Sequence, residues 1–224
     1  MKRKYLILDF GKVLAGPTTG HWFITPKFLE LVDMNYVNDL ELSLAIEKYN
    51  YILSRVMKNQ EEEYHDFCEF YECVLKEIKY PKYSNVIVHD IAYNFVYSDD
   101  KYTFYDNVLE ELKILKNKYK LILLTDNWPC IDSILEKHDL VKYFEKIYVS
   151  SYYGVLKKEG IFFDYPLKDF FISDGEALFV DDSEENLVAA EKKGLDVLLM
   201  DREKIVSHSD YEIIHTLLDI LNVE

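Results

Sequence analysis

The chain has 224 residues, 49% of them apolar, and sets 26 Lys and Arg against 41 Asp and Glu for a formal charge of −15. That length fits one large domain or a core carrying an inserted lobe, with ample material for a buried core. The charge argues against nucleic acid and anionic membrane surfaces, which need a basic footprint, and it means that an anionic substrate must be held by local chemistry against the global field.

Basic residues open the chain, but the apolar run Tyr5–Leu8 stops at Asp9, too soon for the apolar stretch of a signal peptide. No run of about eighteen apolar residues follows anywhere. Cys68, Cys73 and Cys130 are odd in number and not at CxxC spacing, which disfavours both a disulfide framework and a zinc site. The expectation is a cytoplasmic protein.

Short apolar runs that close on a polar residue recur at Tyr5–Asp9, Leu121–Thr125, Ile147–Ser150, Leu178–Asp181 and Val197–Asp201. Unbroken runs of this length, rather than alternation, mark strands buried on both faces of a parallel sheet. Helical patterns lie between them. Val108, Leu112, Leu115 and Tyr119 recur at helical spacing, as do apolar residues in Ile131–His138 and in Glu184–Lys193, the last with Ser183 as N-cap and Gly194 as stop. The alternation predicts a doubly wound α/β fold with a parallel sheet.

Between Leu14 and Lys101 the rhythm breaks into helical patterns at Thr25–Met34, Leu40–Lys58 and Glu61–Lys79, with Val86–Val88 the nearest approach to a strand. This stretch reads as an α-helical insert of residues 15–101 in a discontinuous core of residues 1–14 and 102–224. The acidic runs Glu61–Glu63 and Asp99–Asp100 read as solvated faces or turns.

In open parallel sheets the site lies beyond the carboxyl ends of the strands. Those ends carry Asp9, then Thr125, Asp126 and Asn127, then Ser150 with Lys157 and Lys158 downstream, then Asp181 and Asp182. Singly, each has an ordinary role as a turn residue, a helix cap or a solvated charge. Together they suit phosphoryl transfer. Asp9 would attack phosphorus and form an aspartyl-phosphate, splitting one hard displacement into two easier ones. Carboxylates facing a phosphate need a divalent cation, and Mg²⁺ takes oxygen ligands, here Asp9 and Asp182 with Asp181 holding a coordinated water. Thr125 would hydrogen-bond the phosphoryl oxygens and Lys157 would neutralise residual charge.

The stretches around Asp9–Leu14, Leu121–Asn127, Gly154–Phe163 and Leu178–Gly194 resemble, in order, the four motifs of the haloacid dehalogenase-like (HAD) superfamily. The resemblance implies a Rossmann-like hydrolase core with a type-1 helical cap, and Thr125–Trp128 is similar to the branch holding the N-terminal phosphatase domain of epoxide hydrolases and sugar-1-phosphate phosphatases. It implies Asp9 as nucleophile, Thr125 and Lys157 as phosphate-binding residues, and a metal site of Asp9, Asp181, Asp182 and the main-chain carbonyl of Gly11. The family register favours Lys157 over Lys158.

Three residues depart from that pattern. Gly11 stands where phosphatases of the superfamily usually carry a general acid, a loss that typically costs about 10²–10⁴ in rate and matters least for good leaving groups. Asp126 adds negative charge beside the site, where it either orients a substrate hydroxyl or caps the next helix, and Lys158 replaces a usual proline. In the cap loop Gly16–Trp22, the residues Thr18, Thr19, His21 and Trp22 are candidates for substrate contact, against a plain connector with one buried Trp. Trp128 reads as core. With Asn127 and Asp126, these loop residues complete the candidate substrate site.

The expected function is a Mg²⁺-dependent phosphatase of a small phosphorylated metabolite, such as a sugar phosphate or another activated ester. A weakly active or inactive binding protein is the alternative from another class, motivated by Gly11 and Asp126. A 2-haloacid dehalogenase also uses an Asp nucleophile, but Asp181 and Asp182 argue against it.

Overall fold

The structure, a computed structural model, describes residues 3–223. In chain order the elements are β1 (Tyr5–Leu8), β2 (Ala15–Pro17), α1 (Pro26–Leu31), α2 (Asp39–Tyr49), α3 (Gln60–Glu77), α4 (Asn85–Tyr97), β3 (Tyr102–Phe104), α5 (Val108–Lys116) and β4 (Lys120–Thr125). There follow α6 (Cys130–Lys137), β5 (Phe144–Val149), α7 (Ser150–Tyr153), α8 (Asp164–Asp169), β6 (Ala177–Asp181), α9 (Glu184–Glu191), β7 (Asp196–Met200) and β8 (Ile213–Ile214). The chain forms two compact units. One comprises Met1–Gly16, Phe104–Asn127 and Leu135–Glu224, and the other Pro17–Thr103 with Trp128–Ile134.

The first unit is built on a six-stranded parallel sheet of order β5-β4-β1-β6-β7-β8. Its inner strands are apolar at every position because both faces are covered. Leu6, Ile7, Ile122, Leu123, Phe179 and Val180 are all fully buried, each contributing about 1.5–3 kcal/mol relative to exposure. On one side Phe162, Phe163, Leu187 and Ala190 pack against Ile7, Ile122, Leu124 and Phe179. Because β1 is flanked by β4 and β6, the chain order reverses there, and the crevice at the end of β1 is the topological switch point. Leu8 pairs with Leu123 on one side and Val180 on the other, so Asp9 and Asp181 leave the sheet at one level and Thr125 one residue later. The short β8 escaped the sequence reading because two residues carry no period.

The second unit is helical, and four side-chain caps open its helices. Thr25 accepts from Phe28 N, Asn38 from Glu41 N, Asn59 from Glu61 N and Glu62 N, and Ser84 from Ile87 N. Four corrections apply to the expectations. Residues 86–88 belong to α4, whose buried stripe Val88, Ile91, Ala92, Phe95, Val96 is helical; the β-branched start masked it. The helix expected over 40–58 ends at Tyr49 and gives way to a 3₁₀ turn at Asn50–Ser54. That expected over 25–34 is the six-residue α1, followed by a separate 3₁₀ turn at Met34–Tyr36. Glu63 is not on a solvated face: it is wholly buried beside Phe67, Phe70 and Val74 on the inner stripe of α3.

Trp128 is part of this unit's core, as expected. Its ring meets Phe23, Phe67 and Phe95 edge-on, and its indole N–H donates to Leu53 O at 2.9 Å.

Candidate active site

At the end of β1 the chain makes a tight turn in which Leu14 N donates to Phe10 O and Lys12 N to Ala15 O. Asp9 N still donates to Val180 O at 3.1 Å, so the sheet ladder itself fixes the Asp9 backbone. Asp9 is only 6% exposed.

Lys157 organises the site. Its side chain is 1% exposed, and Nζ lies 2.7 Å from Asp9 Oδ1 and 2.6 Å from Asp181 Oδ2. Lys158 is exposed to solvent. Burial alone would lower the pKa of Lys157, but Asp181, Asp9 and Asp126 outweigh it and raise it. The backbone of this lysine is fixed by Asp126, which accepts from Lys157 N with Oδ1 at 3.1 Å and Oδ2 at 3.3 Å. Both Asp126 oxygens are therefore turned to the lysine loop, and burial raises the Asp126 pKa against the pull of Lys157.

Asp181 is held by three donors. Besides Lys157 on Oδ2, its Oδ1 accepts from Ser183 N at 2.9 Å and Asn186 Nδ2 at 3.0 Å. Ser183 does occupy the N-cap position of α9, but no side-chain cap bond forms, and its amide holds Asp181 instead. The sequence reading counted Asn186 within the fourth motif, as Ser183-x-x-Asn186, but gave it no role; the structure places it on Asp181. Asp182 is half-buried, and burial with neighbouring Asp181 raises its pKa.

Burial pushes Asp9 up to about 8; Lys157 opposes this, whereas Asp181 and Asp182 add to it. Asp9 Oδ1 meets Lys157 as an ion pair without hydrogen-bond geometry and has no other partner, although it is buried. Oxygens of Asp9, Asp181 and Asp182 all lie within 4.8 Å of one another. A buried carboxylate that resists ionisation, an oxygen lacking a directed donor and an all-oxygen donor set fit a hard divalent cation.

Thr125 is buried at the end of β4. Asn127 follows, its amide donating to Ser150 Oγ at 3.1 Å and its carbonyl accepting from Ser151 N at 3.3 Å. The structure thus gathers Asp9, Gly11, Thr125, Asp126, Asn127, Lys157, Asp181 and Asp182 in the sheet unit.

The loop residues Thr18, Thr19, His21 and Trp22 belong to the helical unit. Thr18 Oγ1 is 2.9 Å from Thr103 Oγ1, Thr19 Oγ1 donates to Ile24 O, His21 is exposed, and Trp22 meets the Tyr102 ring edge-on at 6.0 Å.

A family model described as haloacid dehalogenase-like hydrolase matches residues 27–200. The chain belongs to the haloacid dehalogenase-like hydrolase family. Asp9 and its turn precede the matched segment, so their place in this HAD hydrolase rests on the geometry above. Solved structures that share the fold include three from bacteria. A magnesium-bound HAD-family protein of Bacillus subtilis is 18% identical, with all of both chains covered and a TM-score of 0.68. An HAD family enzyme of Bacteroides thetaiotaomicron, in complex with magnesium and inorganic phosphate, is 22% identical, with 92% of this chain and 98% of that one covered and a TM-score of 0.63. A 2-haloacid dehalogenase of Pseudomonas syringae is 14% identical, with 98% and 97% covered and a TM-score of 0.63. No protein with a curated description matches the sequence. Among the described residues, no helix of this HAD hydrolase is long and apolar enough to cross a membrane.

Proposed function

We propose that the protein is a divalent-metal-dependent phosphatase that acts on a small phosphorylated metabolite through an aspartyl-phosphate on Asp9. The observation that carries this reading is the ammonium of Lys157 set between Asp9 and Asp181, with Asp182 completing a tight carboxylate cluster. Such an array suits a dianionic group that must be neutralised from two sides. The Bacteroides neighbour, bound to magnesium and phosphate, supports the same chemistry.

Asp9, Asp182 and the main-chain carbonyl of Gly11 would hold Mg²⁺, with Asp181 reaching it through water. When bound, the ion supplies positive charge that favours ionised Asp9 and a bound phosphoryl group. Asp9 Oδ forms a bond to phosphorus as the bond to the leaving oxygen breaks, and the leaving group departs with the electron pair. Thr125 and Lys157 hold the phosphoryl oxygens through this transfer. Gly11 offers no proton, so the leaving oxygen takes one from water. A second water then attacks phosphorus, releases phosphate and restores the Asp9 carboxylate.

The missing acid favours activated substrates, such as anomeric sugar phosphates and acyl phosphates. This agrees with the resemblance of Thr125–Trp128 to the sugar-1-phosphate branch. A weakly active binding protein remains the alternative, on the strength of Gly11.

The test is phosphate release from sugar, acyl and aryl phosphates, with Mg²⁺ and with chelator, using Asp9→Asn as the blank. Metal-dependent release above the blank, strongest for activated esters, is expected. Silence across the panel would overturn the phosphatase reading, and metal-free halide release from a 2-haloacid would replace it with dehalogenation.

A further inference from the structure

Lys12 takes no part in the chemistry above, yet its ammonium lies 3.6 Å from Asp182 Oδ2. It reaches this place from the turn after β1 with φ at +52°, a left-handed conformation that a non-glycine residue adopts only at some cost. The two lysines of the site differ in kind. Lys157 is sealed in at 1% exposure with two short contacts, whereas the Lys12 side chain is 41% exposed and its one ion pair is long.

The carboxylates differ in the matching way. Asp181 already accepts from three donors, Lys157, Ser183 and Asn186. Asp182, 28% exposed at its side chain, is the carboxylate that Lys12 covers. Beside this pair is a cavity of about 60 Å³, lined by Lys12, Tyr105, Asp182 and Arg202 among others. Arg202 is occupied there by Glu111 at 2.8 Å and by Val13 O at 3.1 Å. The cavity therefore gives the Lys12 ammonium room to withdraw from Asp182 without leaving the site.

The charges call for such a group. Asp9, Asp126, Asp181 and Asp182 face Lys157 at close range, and a divalent cation is the natural complement of the remainder. Lys12 is the cation paired with Asp182, the exposed member of the cluster.

We propose that Lys12 is an exchangeable internal cation: it pairs with Asp182 in the metal-free protein, yields Asp182 to the divalent ion, and so sets the affinity of the site for metal. The proposal rests on the assignment of Asp182 as a metal ligand. Its charge opposes the incoming ion at short range, and its removal should tighten binding on the order of tenfold at low salt, with the gap shrinking as salt is raised.

The experiment is titration of Mn²⁺ into the metal-free full chain, followed by calorimetry and by the spin-resonance signal of free Mn²⁺. It compares the wild type with Lys12→Gln, Lys12→Arg and Lys12→Gly. Glycine relieves the left-handed backbone, so it keeps the test open if Lys12→Gln folds poorly. Tighter binding in the Gln and Gly variants, with Arg close to wild type, is expected. Binding to the neutral variants alone, with none to wild type, supports the proposal in its strongest form. Equal or weaker binding in the neutral variants overturns it while leaving the phosphatase reading intact. No Mn²⁺ binding by any of the four proteins overturns both.

Discussion

Replacing Glu63 with Gln should stabilise the protein most in alkaline solution and least in mild acid. Glu63 is 0% exposed; its Oε2 accepts from Cys130 N at 2.7 Å, and its buried Oε1 has no hydrogen-bond partner. Burial pushes its carboxyl up to about 7, against the pull of Cys130 and Lys101 and with Asp132 acting in the same direction as burial. In the unfolded chain the group returns to its ordinary value of 4.5. The folded state thus binds a proton more tightly, so stability is greatest below the unfolded value, falls as pH rises and reaches its floor above about 7. That gap, at about 1.4 kcal/mol per pH unit, amounts to about 3 kcal/mol. Glutamine keeps an acceptor for Cys130 N and has no charge to desolvate. Urea unfolding of both proteins from about pH 5 to about pH 8 measures the difference directly. It should widen from about 1 kcal/mol at the acid end to about 3 kcal/mol at the alkaline end, in favour of Gln. A difference that stays constant with pH would show that Glu63 does not take up its proton on folding.

Lys157→Met should cost about 3–5 kcal/mol at neutral pH, because Asp9 and Asp181 are left buried beside no cation. Part of that loss should return in acid, where the two carboxylates take up protons, and unfolding at two pH values checks it. Arg202→Met should cost a similar amount, about 3–5 kcal/mol, since the partner Glu111 is equally buried. Removing both charges as Arg202→Met with Glu111→Leu should recover most of it in a double-mutant cycle. Gly194→Ala should lose about 1–3 kcal/mol in thermal unfolding. Gly194 sits at φ +81°, and an added Cβ would run into the Asp174 carboxylate.

The parallel sheet was legible in the sequence because strands such as Tyr5–Leu8 and Leu121–Thr125 are covered on both faces and must be apolar throughout. Their polar terminal residues pointed to the site for the same reason: a buried run ends where the ligand crevice begins. What escaped depends on information that local pattern does not hold. The start of α4 looked like a strand because Val86, Ile87 and Val88 are β-branched, and only the longer stripe through Phe95 and Val96 reveals the helix. Glu63 was misplaced by its acidic neighbours, although its spacing to Phe67, Phe70 and Val74 puts it on the buried face. Lys12 gave no signal at all, since neither a positive φ nor a reach of several ångströms to Asp182 is written in residue type. Asp126 could be read as a substrate ligand or a helix cap, and only coordinates show both of its oxygens on the Lys157 amide.

The phosphatase reading stands on Asp9 carrying the phosphoryl group. Rapid acid quenching of the protein during turnover of an acyl or aryl phosphate, followed by mass spectrometry of the peptide that contains Asp9, tests it most directly. A phosphoryl adduct on Asp9 that disappears with chelator and in Asp9→Asn is expected. Metal-dependent turnover with no adduct on Asp9, or with turnover preserved in Asp9→Asn, would contradict it.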